Sequence, residues 1–253
     1  MKAAIFGLGE AGSAIASDLA DAGTDVRAFD PARVSTPPGV LRVDEPAAAV
    51  FEADVVMSIT AGSDAAAAMA QTWAGGEPAL YADLSTASPG LKEDLSCSAA
   101  EHDVPFADVA LMATVPGRGI ATPSLASGSG ADRYALWINA LGGSVVPIGS
   151  DAGRAAGRKL LRSVVTKGLT GVVRESLEAA AAREDQDWLR THLVELFSQL
   201  DVEFLDRLLQ GTERHRSRRI QEMEDAARLL VEVGVEPTMT NATVEHLRRI
   251  KLR

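Results

Sequence analysis

The chain has 253 residues, enough for one large core or two modest ones, and 46% hydrophobic against 4% aromatic content means Ala, Val, Leu and Ile must build the interior. A net charge of −10 and a pI near 4.9 exclude an extended nucleic-acid surface, the one local basic run being RHRSRR at 214–219. One cysteine, Cys97, and four scattered histidines (102, 192, 215 and 246) leave no internal disulfide and no expected metal site.

The N-terminus enters a strand directly, without a basic or apolar leader, and no stretch approaches ~18 uninterrupted apolar residues, so a cytoplasmic protein with no membrane partner is expected. Ala3 to Phe6 is an apolar run suited to a buried parallel strand. Gly7-Leu8-Gly9-Glu10-Ala11-Gly12 follows it with the G-x-G-x-x-G spacing. Gly7 serves the tight turn, Gly9 a close approach of backbone to a pyrophosphate, and Gly12 the packing of a helix on the sheet. The phosphates would meet the N–H groups at the helix start, within the segment that holds Leu8, Glu10 and Ala11. Val26 to Phe29 return as a second strand, and Asp30 at its end is placed to accept hydrogen bonds from the adenosine ribose hydroxyls. A carboxylate there repels a 2′-phosphate, so NAD is expected, with Arg33 three residues on keeping NADP possible.

Strands are then predicted at Asp54 to Ile59, Ala79 to Leu84, Pro105 to Val109, Ser124 to Ser127 and Ser144 to Ile148, with helices at Asp64 to Trp73, Pro89 to His102 and Asp132 to Leu141. Alternation of this kind predicts a doubly wound, mostly parallel sheet over 1–150, an α/β domain of Rossmann type. Beyond it no strand is expected. Helices are predicted at Ala152 to Arg183, Asp187 to Phe197, Val202 to Leu209, Thr212 to Val233 and Thr240 to Ile250, so 151–253 reads as an all-α C-terminal domain. Its many apolar stripes call for packing against the first domain or a second subunit.

In an open α/β sheet the ligands lie beyond the carboxyl ends of the strands. Three loops qualify. In Ser58-Ile59-Thr60-Ala61 the Thr60 hydroxyl could touch the cofactor ribose, and a helix cap by Ser63 or Thr60 is the alternative. In Asp83 to Pro89 the hydroxyls of Ser85 and Thr86 lie beside the expected nicotinamide position, while Ser88-Pro89 also reads as a helix start. Asp108 to Gly119 could present backbone amides and Arg118 to an anionic substrate, or form a surface turn. Lys159 is the most pointed residue, because small residues at 153, 155, 156 and 157 would let its helix enter the crevice. An alcohol that loses hydride needs a base for its proton, and a lysine can serve. Arg162, Ser163 and Thr166 lie on the same helix face, although a solvated basic stripe is the plainer reading of the periodicity.

The order of these motifs (GLGxxG, Asp after strand two, D-x-S-T-x-x-P, then G-x-x-x-x-x-K) resembles the β-hydroxyacid dehydrogenase and 6-phosphogluconate dehydrogenase superfamily over nearly the whole chain. RKLLRSVVTKGLTGVVRESLEAA and RHRSRRIQEMEDAA look like a less characterised branch of it. The resemblance implies a hydride exchanged between nicotinamide and a small, anionic hydroxy acid or its carbonyl counterpart, with Lys159 as proton donor or acceptor. It also implies Ser85 at the cofactor, Thr86, Met112, Ala113, Thr114, Arg118, Arg162, Ser163 and His215 at the substrate, and a homodimer through the helical domain. Met112-Ala113-Thr114 stands where relatives carry Ser-Gly-Gly, and Thr166 where phosphogluconate dehydrogenases carry an acid, which sets 6-phosphogluconate aside. Two other readings remain open: a dinucleotide-binding sensor or scaffold without turnover, and an imine reductase, a branch that generally lacks lysine at this position.

Overall fold

The structure, a computed structural model, describes residues 1–32 and 34–250 and divides into two compact units, Met1–Arg162 and Ser163–Arg253. In the first, strands β1 (Lys2–Phe6), β2 (Asp25–Phe29), β3 (Val40–Arg42), β4 (Val55–Ser58), β5 (Leu80–Asp83), β6 (Phe106–Leu111), β7 (Ser124–Ser127) and β8 (Val145–Pro147) form one sheet. Their order is β3-β2-β1-β4-β5-β6-β7-β8. The first six run parallel; β7 is antiparallel to β6 and β8 parallel to β7.

Side chains alternate across this sheet and divide the interior in two. Ala3 and Ile5 face a cluster with Ile15, Ala16 and Leu19 of α1 (Glu10–Asp21) and Tyr134, Ala135 and Ile138 of α5 (Ala131–Ala140). Ala4 and Phe6 face α2 (Pro46–Val50), α3 (Ala65–Thr72) and α4 (Pro89–Glu101), through Val50, Met69 and Leu95. Helices therefore cover both faces, as the strand and helix alternation predicts. The chain turns from one direction to the other between β1 and β4, and the crevice of a doubly wound sheet opens there.

Register sets up the rest. Phe29, Phe6, Ser58, Asp83, Asp108 and Ser127 are successive partners across β2, β1, β4, β5, β6 and β7. One row at the carboxyl edge of the parallel strands thus runs from two phenylalanines to two adjacent aspartates and a serine.

The second unit is helical, as expected. Helix α6 (Arg154–Ala182) crosses the boundary, followed by α7 (Gln186–Ser198), α8 (Val202–Arg214), α9 (Arg216–Glu232) and α10 (Thr238–Arg249). A break expected near Gln210-Gly211 falls instead at His215, which leaves helical geometry at φ −117°, ψ 25°. Arg219 reaches back from α9 to the Leu208 carbonyl and to Thr212 Oγ1, tying the two helices across the bend. Neither β3 nor α2 is foreseen in the sequence, being three and five residues long and too short to carry a period. Among the described residues no helix is long and apolar enough to cross a membrane, and no group of three His, Cys, Asp or Glu side chains could hold a metal ion.

Glu175 of α6 caps α10. Its Oε2 accepts from Met239 N (2.6 Å), and its Oε1 from Thr240 N (2.9 Å) and Thr240 Oγ1 (2.6 Å). Partial burial pushes this carboxyl up, but the Thr240 and Met239 hydrogen bonds outweigh it and hold the group below the usual carboxylate range. A folded-state pKa below the unfolded one means that the stabilisation is present above the unfolded value of about 4.3 and fades as pH falls through the folded one. Replacing Glu175 with Gln is expected to destabilise the protein by about 1 kcal/mol at neutral pH, the usual worth of a helix cap. In urea unfolding followed by circular dichroism, that gap should shrink at pH 3.

Candidate functional site

Gly7 leaves β1 at φ +94°, a conformation that L side chains rarely adopt, and its N–H donates to the Phe29 carbonyl at 2.9 Å. A Cβ on Gly7 would lie 2.6 Å from the Ile59 carbonyl oxygen, and one on Gly12 would overlap the Gly7 carbonyl, so the turn, α1 and the β4 loop are packed at backbone distance. Gly9 differs: no described atom lies within 4 Å of the place its Cβ would take. It is the N-cap of α1, where no described side chain accepts from the first N–H groups. That open, uncapped helix start fits a pyrophosphate. Leu8 turns its side chain into the core and its backbone into the loop, Ala11 packs partly buried against the core, and Glu10 is exposed in the first turn.

A cavity of about 420 Å³ lies beside this turn, lined among others by Gly7, Gly9, Asp30, Ile59, Thr60 and Asp64. Asp30 Oδ2 accepts from Leu8 N at 2.7 Å and Oδ1 from Ala32 N at 2.8 Å. The carboxylate thus ties the glycine turn to the loop after β2 while still lining the cavity, where its remaining lone pairs can meet ribose hydroxyls. Arg33 lies outside the described residues. Arg42, to which no motif points, donates to the carbonyls of Asp30 (2.9 Å), Ala32 (2.6 Å) and Val34 (2.7 Å) and so gathers this loop into one shape. Thr60 Oγ1 lies 3.2 Å from Ser58 Oγ, and neither Thr60 nor Ser63 caps the helical turns that follow.

At the next strand ends, Asp83 and Asp108 are both fully buried, and so is Lys92 of α4. The Lys92 ammonium donates to Asp83 Oδ2 (2.9 Å) and to the Asp83 carbonyl (3.0 Å), and lies 3.5 Å from Asp108 Oδ1. Removing one member of such a group strands a buried charge, at a cost of about 3–5 kcal/mol. Ser85 donates to Asp83 through N (3.1 Å) and Oγ (2.9 Å), while Ser88 caps α4 through Leu91 N. Thr86, next in the loop, accepts from Lys159 Nζ at 2.8 Å. Ala155 and Ala156 are buried at the start of α6, and Lys159 shares a narrow crevice with Ser85, Thr86, Asp108 and Val109.

The other substrate candidates of the first unit do not line this crevice. Met112 and Ala113 are half-buried and Thr114 is exposed; Arg118 folds back onto the Thr114 hydroxyl at 3.1 Å. Asp18 of α1 anchors this loop by accepting from Ile120 N at 2.9 Å. Arg162 is exposed at the end of the first unit. Ser163 opens the second, and His215 joins α8 to α9 within it. Lys92 carried no sequence signal, since PGLKEDL reads as an exposed helical turn; Ser127 looked like an ordinary strand residue.

Residues 2–135 match the family described as the NAD binding domain of 6-phosphogluconate dehydrogenase, and residues 180–250 match a domain of unknown function, DUF1932. No curated protein matches the chain. Among solved structures it is similar to a conserved hypothetical protein from Sinorhizobium meliloti 1021, at 28% identity over 98% of this chain and 87% of that one, with a TM-score of 0.62. It is also similar to MTH1747, a conserved protein of unknown function described as resembling 3-hydroxyacid dehydrogenases, at 23% identity over 98% and 96% of the two chains and a TM-score of 0.61. An imine reductase from Myxococcus stipitatus in complex with NADP+ shares the fold at 20% identity over 98% and 93%, with a TM-score of 0.81.

The glycines separate packing from binding. Gly12→Ala is expected to cost about 1–3 kcal/mol of stability through overpacking. Gly9→Ala should melt like the wild type, yet lose on the order of tenfold in NAD affinity, about 1.4 kcal/mol, by calorimetry. Undiminished NAD binding by Gly9→Ala would remove the pyrophosphate from this turn. Arg42→Met should weaken ADP-ribose binding and spare any binding of nicotinamide mononucleotide.

Proposed function

Because the chain belongs to the family of the NAD binding domain of 6-phosphogluconate dehydrogenase, we propose that it is an NAD(P)-dependent oxidoreductase in which Lys159 exchanges a proton with the substrate oxygen. The observation that carries this reading is the Lys159 Nζ to Thr86 Oγ1 hydrogen bond of 2.8 Å, made in the loop after β5, two strands along the sheet from β1 and its glycine turn. When bound, the nicotinamide supplies or accepts the hydride. Gly7 to Gly12, Asp30 and Thr60 hold the cofactor. Thr86 directs the lysine amine, which takes the hydroxyl proton in oxidation and returns one to the alkoxide in reduction.

The substrate is a small hydroxy acid or its carbonyl counterpart. An anionic group is supported by Arg162, one helical turn beyond Lys159 in the same unit, and by Arg118 in the loop that holds Met112 to Thr114. Imine reduction is the second reading, favoured by the TM-score of 0.81 to an imine reductase and disfavoured by the lysine. The functional unit is a homodimer through the helical unit. Support comes from the exposure of Val164, Val165, Val194, Leu205 and Leu209, five large apolar side chains that a monomer would leave in water.

Incubation with NADH or NADPH and a panel of aldehydes, 3-keto acids and cyclic imines, followed at the nicotinamide absorbance, distinguishes these readings. Carbonyl reduction is expected, and Lys159→Ala should lower its turnover by about 10²–10⁴-fold with NAD affinity unchanged. Equal turnover by the variant would refute the lysine's role; cyclic imines turned over without Lys159 would establish the second reading. Light scattering should give the mass of two chains, and a monomer mass would overturn the dimer.

A further inference from the structure

Both ends of the Lys159–Thr86 hydrogen bond lead back to the same buried charges. On the Thr86 side, Asp83 accepts from the N–H and the hydroxyl of Ser85, so the residue before Thr86 is held at two points. On the Lys159 side, Asp108 Oδ2 accepts from Gly153 N (3.1 Å) and Ala156 N (3.0 Å), and Ser127 Oγ accepts from Ala155 N (2.9 Å). Ser127 in turn donates to Asp108 Oδ2 at 3.1 Å. Three N–H groups at the entry to α6, Gly153 just before it and Ala155 and Ala156 in its first turn, are thereby gripped by two fully buried side chains ahead of Lys159. Lys92 lies between the two halves, 2.9 Å from Asp83 Oδ2 and 3.5 Å from Asp108 Oδ1. A helix start needs a single hydroxyl or carboxylate for capping. Here two carboxylates, an ammonium and a serine are buried together, and Asp108 also lines the crevice that holds Lys159.

We infer that Asp83, Lys92, Asp108 and Ser127 form a positioning device that sets Lys159 against Thr86. Asp83 fixes the loop that carries the acceptor. Asp108 and Ser127 fix the first turn of the helix that carries the donor, and Lys92 couples the two so that neither moves alone. These four are positioning residues; they act through the lysine and the threonine. The inference rests on the reading of Lys159 as the proton-handling group, but its test does not need turnover.

The test is the rate at which trinitrobenzenesulfonate modifies Lys159 in the full-length protein, read by peptide mass spectrometry against exposed Lys167 of the same helix. Thr86→Val removes this one hydroxyl acceptor and should raise the Lys159/Lys167 ratio by about threefold to tenfold, the factor of a single net hydrogen bond. Ser127→Ala leaves all three charges in place, and it should produce the same rise with unchanged circular dichroism and NADH affinity. Asp108→Asn should do so too if it folds; Ser127→Ala carries the test if it does not. An unchanged ratio in folded Ser127→Ala, or in Thr86→Val, would overturn the proposal. Absence of turnover by the wild type on every substrate would count against the oxidoreductase reading alone. Where a substrate is found, Ser127→Ala should lower kcat and leave the KM for NADH unchanged, a split that general loosening of the fold would not give.

Discussion

Asp83 and Asp108 are register partners on adjacent strands, so two buried carboxylates face the same side of the sheet a strand's width apart. Without a cation between them they would repel in a medium that screens poorly. The Lys92 ammonium meets that constraint, and it brings α4 with it. Once the triad is in place, the start of α4, the loop after β5 and the first turn of α6 all have their positions, since each hydrogen-bonds to one of its members. The fold and the proposed chemistry share these few atoms.

The opposite end of the same row has a different physical character. Phe6 and Phe29 end β1 and β2 with rings 6.0 Å apart, edge to face, and the backbone beyond them turns at Gly7 against Ile59. Apolar packing and close backbone contact fix this end, whereas buried charge fixes the other. Between them the row passes Ser58, whose hydroxyl meets Thr60 at the mouth of the nucleotide cavity. A cofactor spanning from Asp30 toward Thr86 would lie along the carboxyl edge, in keeping with the rule that ligands sit at the switch point of such sheets.

What the sequence disclosed follows from which constraints act locally. Gly7 and Gly12 stand out because a positive φ and a backbone contact exclude other residue types, and Ser88-Pro89 because a cap and a fixed φ start a helix. The sheet and the helical second half were legible from periodicity. The β3 strand and α2 were too short to show a period, and the bend at His215 carries no glycine or proline to mark it. Lys92 and Asp108 escaped for another reason. Their burial depends on the pairing of strands 25 residues apart, which no local pattern encodes. Arg42 escaped similarly, because its three carbonyl partners belong to an irregular loop.

If a dinucleotide at the glycine turn brings its reactive ring to Lys159, a crystal structure of the protein with NAD+ will reveal it. The pyrophosphate is expected at the start of α1, the adenosine ribose at Asp30, and the nicotinamide close enough to Lys159 Nζ for one small carbonyl compound to touch both. A nicotinamide ring placed away from Thr86 and Lys159 would separate the lysine from the hydride and refute its role.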